Sequence, residues 1–235
     1  MTRTPVWKSI TETLEGEIAG GNYRPGDKLP TEAALSSRFG VNRHTVRRAL
    51  SDMAERGIVH SRRGAGVFVT AEPTLYPIGR RTRFHQNIGA TGRLPQKKVL
   101  RVEVRPADVT EATALAIAPG APVTVYEGLS LSGAQAVALF VSIFSAERLP
   151  GLAGTFGEVT SVTEALRLNG VEDYLRAETQ VTAERASATL ALHLALREGD
   201  PLLKTVGLNR TLEGAPLEHG LTWFAGDRVT LTFAP

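Results

Sequence analysis

The stretch Leu29-Pro-Thr-Glu-Ala-Ala-Leu-Ser-Ser-Arg-Phe-Gly-Val-Asn-Arg-His-Thr-Val-Arg-Arg-Ala-Leu50 reads as two short helices separated by a tight turn. Thr31 suits the N-cap of the first helix and Asn42 that of the second, because their side-chain oxygens accept from amides that the first helical turn leaves without partners. Gly40 can close the first helix in the left-handed conformation that costs glycine little. On the second helix Val46, Leu50 and Met53 fall on one apolar stripe, while Arg43 and Arg47 lie one turn apart on a different face. One face packs and the other can meet an anion. That is the layout of a helix-turn-helix reader of double-stranded DNA.

Downstream, Gly57-Ile58-Val59 and Val67-Phe68-Val69 flank Ser61-Arg62-Arg63-Gly64-Ala65-Gly66. Two short strands around a basic, glycine-containing tip make a hairpin, or wing, whose tip can approach a groove closely. Upstream, Val6, Trp7, Ile10, Leu14 and Ile18 line one face of a helix that ends at Gly20-Gly21. The turn Tyr23-Arg-Pro-Gly-Asp-Lys28 leads from it to Leu29-Pro30. After the wing, Thr70-Ala-Glu-Pro-Thr-Leu-Tyr-Pro77 holds two prolines and no clear period, as a linker would.

Leu29-Pro-Thr-Glu32, Phe39-Gly-Val-Asn-Arg-His-Thr-Val-Arg-Arg-Ala-Leu50 and Arg62-Arg-Gly-Ala-Gly-Val-Phe-Val69 together resemble the N-terminal domain of GntR-type bacterial transcription regulators. The resemblance implies that Arg43, His44, Thr45 and Arg47 meet bases and phosphates, and that Arg63 with Gly64 sits at the wing tip that enters the minor groove; Arg62, beside them in the basic tip, adds positive charge there. Many relatives carry arginine one place after Glu32, where this chain has Ala33, so one operator contact of the family is missing. The operator sequence therefore does not carry over.

Composition agrees with a regulator of two domains. The 235 residues are ample for a small reader and a body of about 160 residues with its own core. Residues 1–70 hold eleven Lys and Arg against seven Asp and Glu, whereas the remainder holds sixteen against seventeen, so the positive excess lies in the reader. No run of about eighteen apolar residues and no apolar signal core is present, which points to the cytoplasm and away from a membrane. The absence of cysteine excludes disulfides and thiolate chemistry.

Beyond the linker, alternating strands mix with short helices. Leu100, Val102 and Val104 alternate with charged residues; residues 123–131 and 135–145 flank Ser132-Gly-Ala134; residues 202–212 and 217–224 flank Glu213-Gly214. Helical segments are expected at about 110–118, 161–168 and 186–196, the second opened by a capping box, Ser161-Val-Thr-Glu164. No internal repeat stands out. The expectation is an α+β chain: a winged helix-turn-helix over residues 1–72, a linker over 73–82, and an antiparallel-sheet domain over 83–235.

The body resembles the ligand-sensing domain of the HutC branch of the GntR family, which has a chorismate-lyase-like fold. The points of likeness are Gly120-Ala-Pro-Val, Ala146-Glu-Arg-Leu-Pro-Gly-Leu152, Gly199-Asp-Pro-Leu, Gly214-Ala-Pro-Leu-Glu218 and Gly226-Asp-Arg228, in this order. Residues 76–88, Tyr-Pro-Ile-Gly-Arg-Arg-Thr-Arg-Phe-His-Gln-Asn-Ile, look most like regulators of phosphonate-utilisation genes. Sugar-phosphate sensors of the branch carry an arginine pair where this chain has Gly128 and Ser130, and a glutamate where it has Phe140, while a further glutamate is kept as Glu218. An amino-sugar phosphate is thus a poor candidate effector.

The alternative anion grip is Arg80, Arg81 and Arg83 with Phe84 and His85, supported by Ser161 and Thr163 at a helix N-terminus and by Glu218. It suits a small phosphonate or phosphate ester. The same arginines could equally cross a domain interface or touch DNA phosphates near the linker. None of the five histidines stands at metal-ligand spacing, and Gly64-Ala-Gly66 opens no nucleotide-binding strand-to-helix unit, so no metal, cofactor or catalytic set is assigned. His219 beside Glu218, with His85, could meet in one pocket as a ligand-binding pair.

The resulting expectation is a homodimeric repressor on a near-palindromic operator, released by a small anionic effector. The alternatives are a DNA-binding regulator that senses no ligand and an enzyme of the lyase-like fold tethered to DNA.

Overall fold

A computed structural model of the chain describes residues 5–62, 64–70, 73–81, 95–132 and 135–233. Two compact units divide at Met1–Glu72 and Pro73–Pro235. Arg63, Arg83, Phe84 and His85 lie outside the described residues, as does the side chain of Arg62.

The first unit runs α1 (Val6–Ala19), α2 (Glu32–Phe39), α3 (Arg43–Glu55), β1 (Val59–Arg62) and β2 (Gly66–Val69). The Thr31 hydroxyl accepts from the Ala34 amide at 3.2 Å, Asn42 accepts from the Thr45 amide at 2.9 Å, and Gly40 takes φ 64°. Such caps are worth about 1 kcal/mol each. Val46, Ala49, Leu50 and Met53 of α3 are buried against Ile10 and Leu14 of α1, Leu35 of α2, and Val59 and Val69 of the hairpin. Val6, the first residue of the helix, departs from the expected face and is 55% exposed, while Trp7 beside it packs against the core. β1 and β2 pair antiparallel from Val59↔Val69 to Arg62↔Gly66, with Gly64 and Gly66 at positive φ in the turn.

In the second unit a six-stranded antiparallel sheet has the order β4-β5-β6-β9-β8-β7, formed by β4 (Pro95–Pro106), β5 (Pro122–Ser132), β6 (Gln135–Ser145), β7 (Tyr174–Arg185), β8 (Pro201–Thr211) and β9 (Pro216–Ala225). Helices α4 (Val109–Leu115), α5 (Leu152–Thr155), α6 (Val162–Leu168) and α7 (Ala188–Leu194) complete it with β3 (Thr74–Ile78) and β10 (Val229–Phe233).

Three expectations need correction. Part of the presumed linker is a strand: β3 pairs in parallel with β10, with Thr74, Tyr76 and Ile78 turned inward and Leu75 exposed, a period-2 pattern that two prolines disguised. Ser161 caps the Glu164 amide at 3.3 Å, but the Glu164 carboxylate turns to Arg167, 2.7 Å away. The capping box lies instead at Asp108 and Glu111, where both reciprocal bonds form. β7 was missed altogether, since an edge strand with most residues at least partly exposed needs few apolar side chains.

A repeat is also present. The succession β4-α4-β5-β6 recurs as β7-α7-β8-β9, and the two sets meet at β6 and β9. Asp108 and Ser187 cap the two helices, and Ala116 and Ala195 end them at φ 50° and 49°. This corrects the expectation of no internal repeat: residues 107–123 and 186–202 align without a gap, with Ala112 and Ala191, Leu115 and Leu194, Gly120 and Gly199, and Pro122 and Pro201 among the identical pairs. α4 and α7 cover one sheet face through Val123, Val125 and Ile143 and through Leu129, Leu139 and Leu202.

Candidate functional site: a DNA-reading surface and a polar sheet face

Arg43, His44, Arg47 and Arg48 are exposed on α3, opposite its buried stripe. Thr45 is half-buried, and its hydroxyl donates to the Asn42 side chain at 3.0 Å, which fixes the first turn. Arg47 forms a two-pronged pair with Glu32 of α2, at 3.1 and 2.8 Å. This bond holds the Glu32 carboxyl below the usual range, with Arg43 and His44 adding smaller effects. Arg47 faces solvent, where screening weakens such a pair, so phosphate or a base edge can take Arg47 from it. Arg48 stacks 4.9 Å from the Trp7 ring centre and braces α1 against α3.

In the second unit, side chains alternate between sheet faces, and cross-strand partners share a face. The face turned away from α4 and α7 carries two apolar clusters. Tyr126, Phe144, Phe156, Leu166 and Tyr174 form one with α5 and α6; Tyr76, Ile78, Ala138, Phe224 and Val229 form the other with β3 and β10. Between them the same face is polar. Ser130, Ser142, Thr205, Asn209 and Glu218 are buried there, with Lys97 and Arg176 half-buried.

These groups are connected. The Asn209 amide donates to Glu218 Oε2 at 2.6 Å, and Arg176 Nε donates to Asn209 Oδ1 at 2.6 Å. A second Arg176 nitrogen lies 3.3 Å from the Thr179 hydroxyl. Lys97 reaches inward until its ammonium lies 4.2 Å from the Phe140 ring centre and 5.5 Å from that of Tyr126. Desolvation of that ammonium pulls its pKa down to about 8, against the pull of Glu218. Burial pushes the Tyr126 hydroxyl up to about 12, and it donates to the Thr160 carbonyl at 2.8 Å.

Glycines shape the floor. A Cβ on Gly128 would stand 2.8 Å from the Phe140 ring and 2.8 Å from the Lys98 carbonyl oxygen, so the ring fills that notch. A Cβ on Gly207 would stand 2.2 Å from the Arg176 guanidinium, whereas one on Gly220 would meet nothing nearer than Glu218 Oε1 at 3.5 Å.

Of the expected effector residues, Glu218 lies within this polar face. Thr163 is at its border, sharing a 2.9 Å hydroxyl contact with Tyr174. Ser161 spends its hydroxyl on the helix cap. Arg81 is paired with Asp173 at 2.8 Å and stays largely exposed, while the neighbouring Arg80 carbonyl accepts from the Arg176 amide at 2.8 Å. The suggested pairing of His219 with Glu218 does not form: adjacent strand residues point to opposite faces, and His219 turns towards α4, where burial lowers its pKa despite Glu111 and Asp108. Sequence reasoning missed Lys97, Arg176 and Asn209. Only knowledge of the pairing Asn209↔Glu218 and Arg176↔Asn209 could have assembled them.

A winged helix-turn-helix with a basic recognition face, joined in one chain to a sheet domain with a buried polar face, defines a DNA-binding transcription regulator with a ligand-sensing domain. Family comparison agrees: residues 7–69 match the bacterial regulatory proteins of the gntR family, and residues 90–230 match the UTRA domain. The chain belongs to the GntR family, in the HutC-type branch that carries a UTRA domain. It is 37% identical to the HTH-type transcriptional regulator RB1450 of Rhizobium meliloti (strain 1021), over 96% of this chain and 93% of that one. It is 34% identical to the probable transcriptional regulator PhnF of Escherichia coli (strain K12), with the same coverage. The crystal structure of PhnF from Mycobacterium smegmatis superposes with TM-score 0.67 at 25% identity, covering 98% of this chain and 99% of that one. Among the described residues no helix is long and apolar enough to cross a membrane.

Proposed function

We propose that the chain acts as a cytoplasmic, homodimeric repressor that leaves a near-palindromic operator when a small anionic effector, a phosphonate or phosphate ester, binds the second unit. The observation that carries the sensing part is the buried polar face on which two cations, Lys97 and Arg176, accompany one carboxylate, Glu218. Buried polar groups of this density are costly unless satisfied, and a surplus of one positive charge favours an anion. The phosphonate part rests on the resemblance of residues 76–88 to regulators of phosphonate-utilisation genes and is in keeping with the likeness to PhnF.

On the DNA side, Arg43, His44, Thr45 and Arg47 read the major groove, and Arg62, Arg63 and Gly64 approach the minor groove. Paired second units would hold two readers, and two-fold protein symmetry calls for two-fold operator symmetry. Effector and operator affinities then change reciprocally. The test is titration of the full chain with DNA from its own promoter region, with and without alkyl phosphonates and phosphate monoesters. Release of operator by one of these compounds is the expected result. Operator binding that none of them alters would reject the proposed effector class.

A further inference from the structure

The two halves of the sensing unit place a cation at the same point: Lys97 pairs across to Ser130, and Arg176 pairs across to Asn209. Gly128 and Gly207 likewise correspond, as do Phe140 and Gly220, each the cross-strand partner of the corresponding glycine. The halves differ in what occupies the floor. In the first, the Phe140 ring fills the notch over Gly128; in the second, the Arg176 guanidinium lies over Gly207, and Gly220, where the first half has Phe140, leaves bare backbone beside Glu218.

A plain anion gains nothing from a buried carboxylate within the same site, and like charge placed there penalises it. Asn209 accounts for one oxygen of Glu218, and the other lies on the Gly220 side. Arg176 and Glu218 are thus a cation and an anion set apart by the width of one carboxamide, next to an open floor. Resting on the anion-sensing reading above, we infer that the effector is a short zwitterion seated over Gly220, its anionic head held by Arg176 with Lys97 opposite and its ammonium held by Glu218.

The test uses calorimetry on the full chain with 2-aminoethylphosphonate and ethylphosphonate, which share the head group and differ in the ammonium. The aminoalkyl compound is expected to bind at least about tenfold more tightly, the scale of one charge-assisted hydrogen bond. Glu218→Gln keeps an oxygen for Asn209 but removes the charge, and it should abolish that preference while leaving operator binding intact. Should this variant fail to bind operator, Gly220→Ala decides, since its methyl meets only ordinary contact at 3.5 Å and yet occupies the floor. It should weaken the zwitterion by about tenfold or more, and unchanged binding there would overturn the inference. Ethylphosphonate binding as tightly as its amino counterpart to the parent chain also overturns it, and leaves anion sensing standing. Binding of neither compound by operator-competent protein overturns both.

Discussion

Arg148 and Arg228 do the same work in the two halves of the sensing unit, each reaching into the other half. Arg148 donates to the Leu115 and Ala116 carbonyls that end α4, at 3.0 Å each, and to the Pro216 carbonyl that begins β9, at 3.0 Å. Arg228 donates to Leu194 and Ala195 at the end of α7, at 2.7 and 3.1 Å, and to Ala136 near the start of β6, at 2.5 Å. Each guanidinium therefore satisfies the carbonyls of a helix end closed by a left-handed alanine, a conformation that costs roughly 1–2 kcal/mol. Each also ties β6 to β9.

Replacing Arg228 by methionine leaves those carbonyls without their donor in a buried site, at a cost of about 1–3 kcal/mol for each group not reached by water. The full chain carrying Arg228→Met should melt several degrees below the parent. Arg148→Met, in a more exposed setting, should have the smaller effect. Equal melting temperatures for Arg228→Met and the parent would show that the two helix ends do not depend on this side chain.

Arg43→Ala and Arg47→Ala should each weaken specific operator binding by about 1–3 kcal/mol, the worth of a two-pronged base contact. Folding should be untouched, because both side chains are exposed. Titration at fixed salt checks this, and unchanged operator affinity in both variants would remove α3 as the reading element.

Arg62→Ala combined with Arg63→Ala should lower affinity for specific and non-specific DNA alike and flatten the salt dependence. Each lost phosphate contact removes about 0.9 from the slope of log affinity against log salt. A slope equal to that of the parent would mean that the wing arginines touch no phosphate.

Lys97 gives a pH signature. Its folded pKa of about 8 lies below the value of an unburied lysine, so between that value and the ordinary lysine range the unfolded chain binds a proton that the folded chain lacks. Stability contributed by this site therefore rises with pH across that window, and below about pH 8 the folded state bears the cost of a desolvated charge. Lys97→Met should be more stable than the parent at pH 7, by a margin that shrinks towards pH 10. A margin independent of pH would place the ammonium in water.

The reader was legible in the sequence because its signals are local. Thr31, Gly40 and Asn42 act on amides and carbonyls within a few residues, and Val46, Leu50 and Met53 declare one helix face by spacing alone. The hairpins on either side of residues 133–134 and 213–214 were legible for the same reason. The polar face was not. Lys97 and Glu218 are 121 positions apart in the chain, and Arg176 stands on an edge strand whose exposed residues carry no apolar rhythm.

What the sequence by itself determined is the class of each element and the chemistry of the DNA-reading helix, since caps, turns and periodicity are short-range properties of the chain. Only the tertiary structure decided which strands are neighbours, and hence that Glu218 faces Asn209, Arg176 and Lys97 while His219, one residue on, faces α4. Strand pairing is a long-range choice, fixed when apolar faces of distant segments are buried together, and no single segment encodes it.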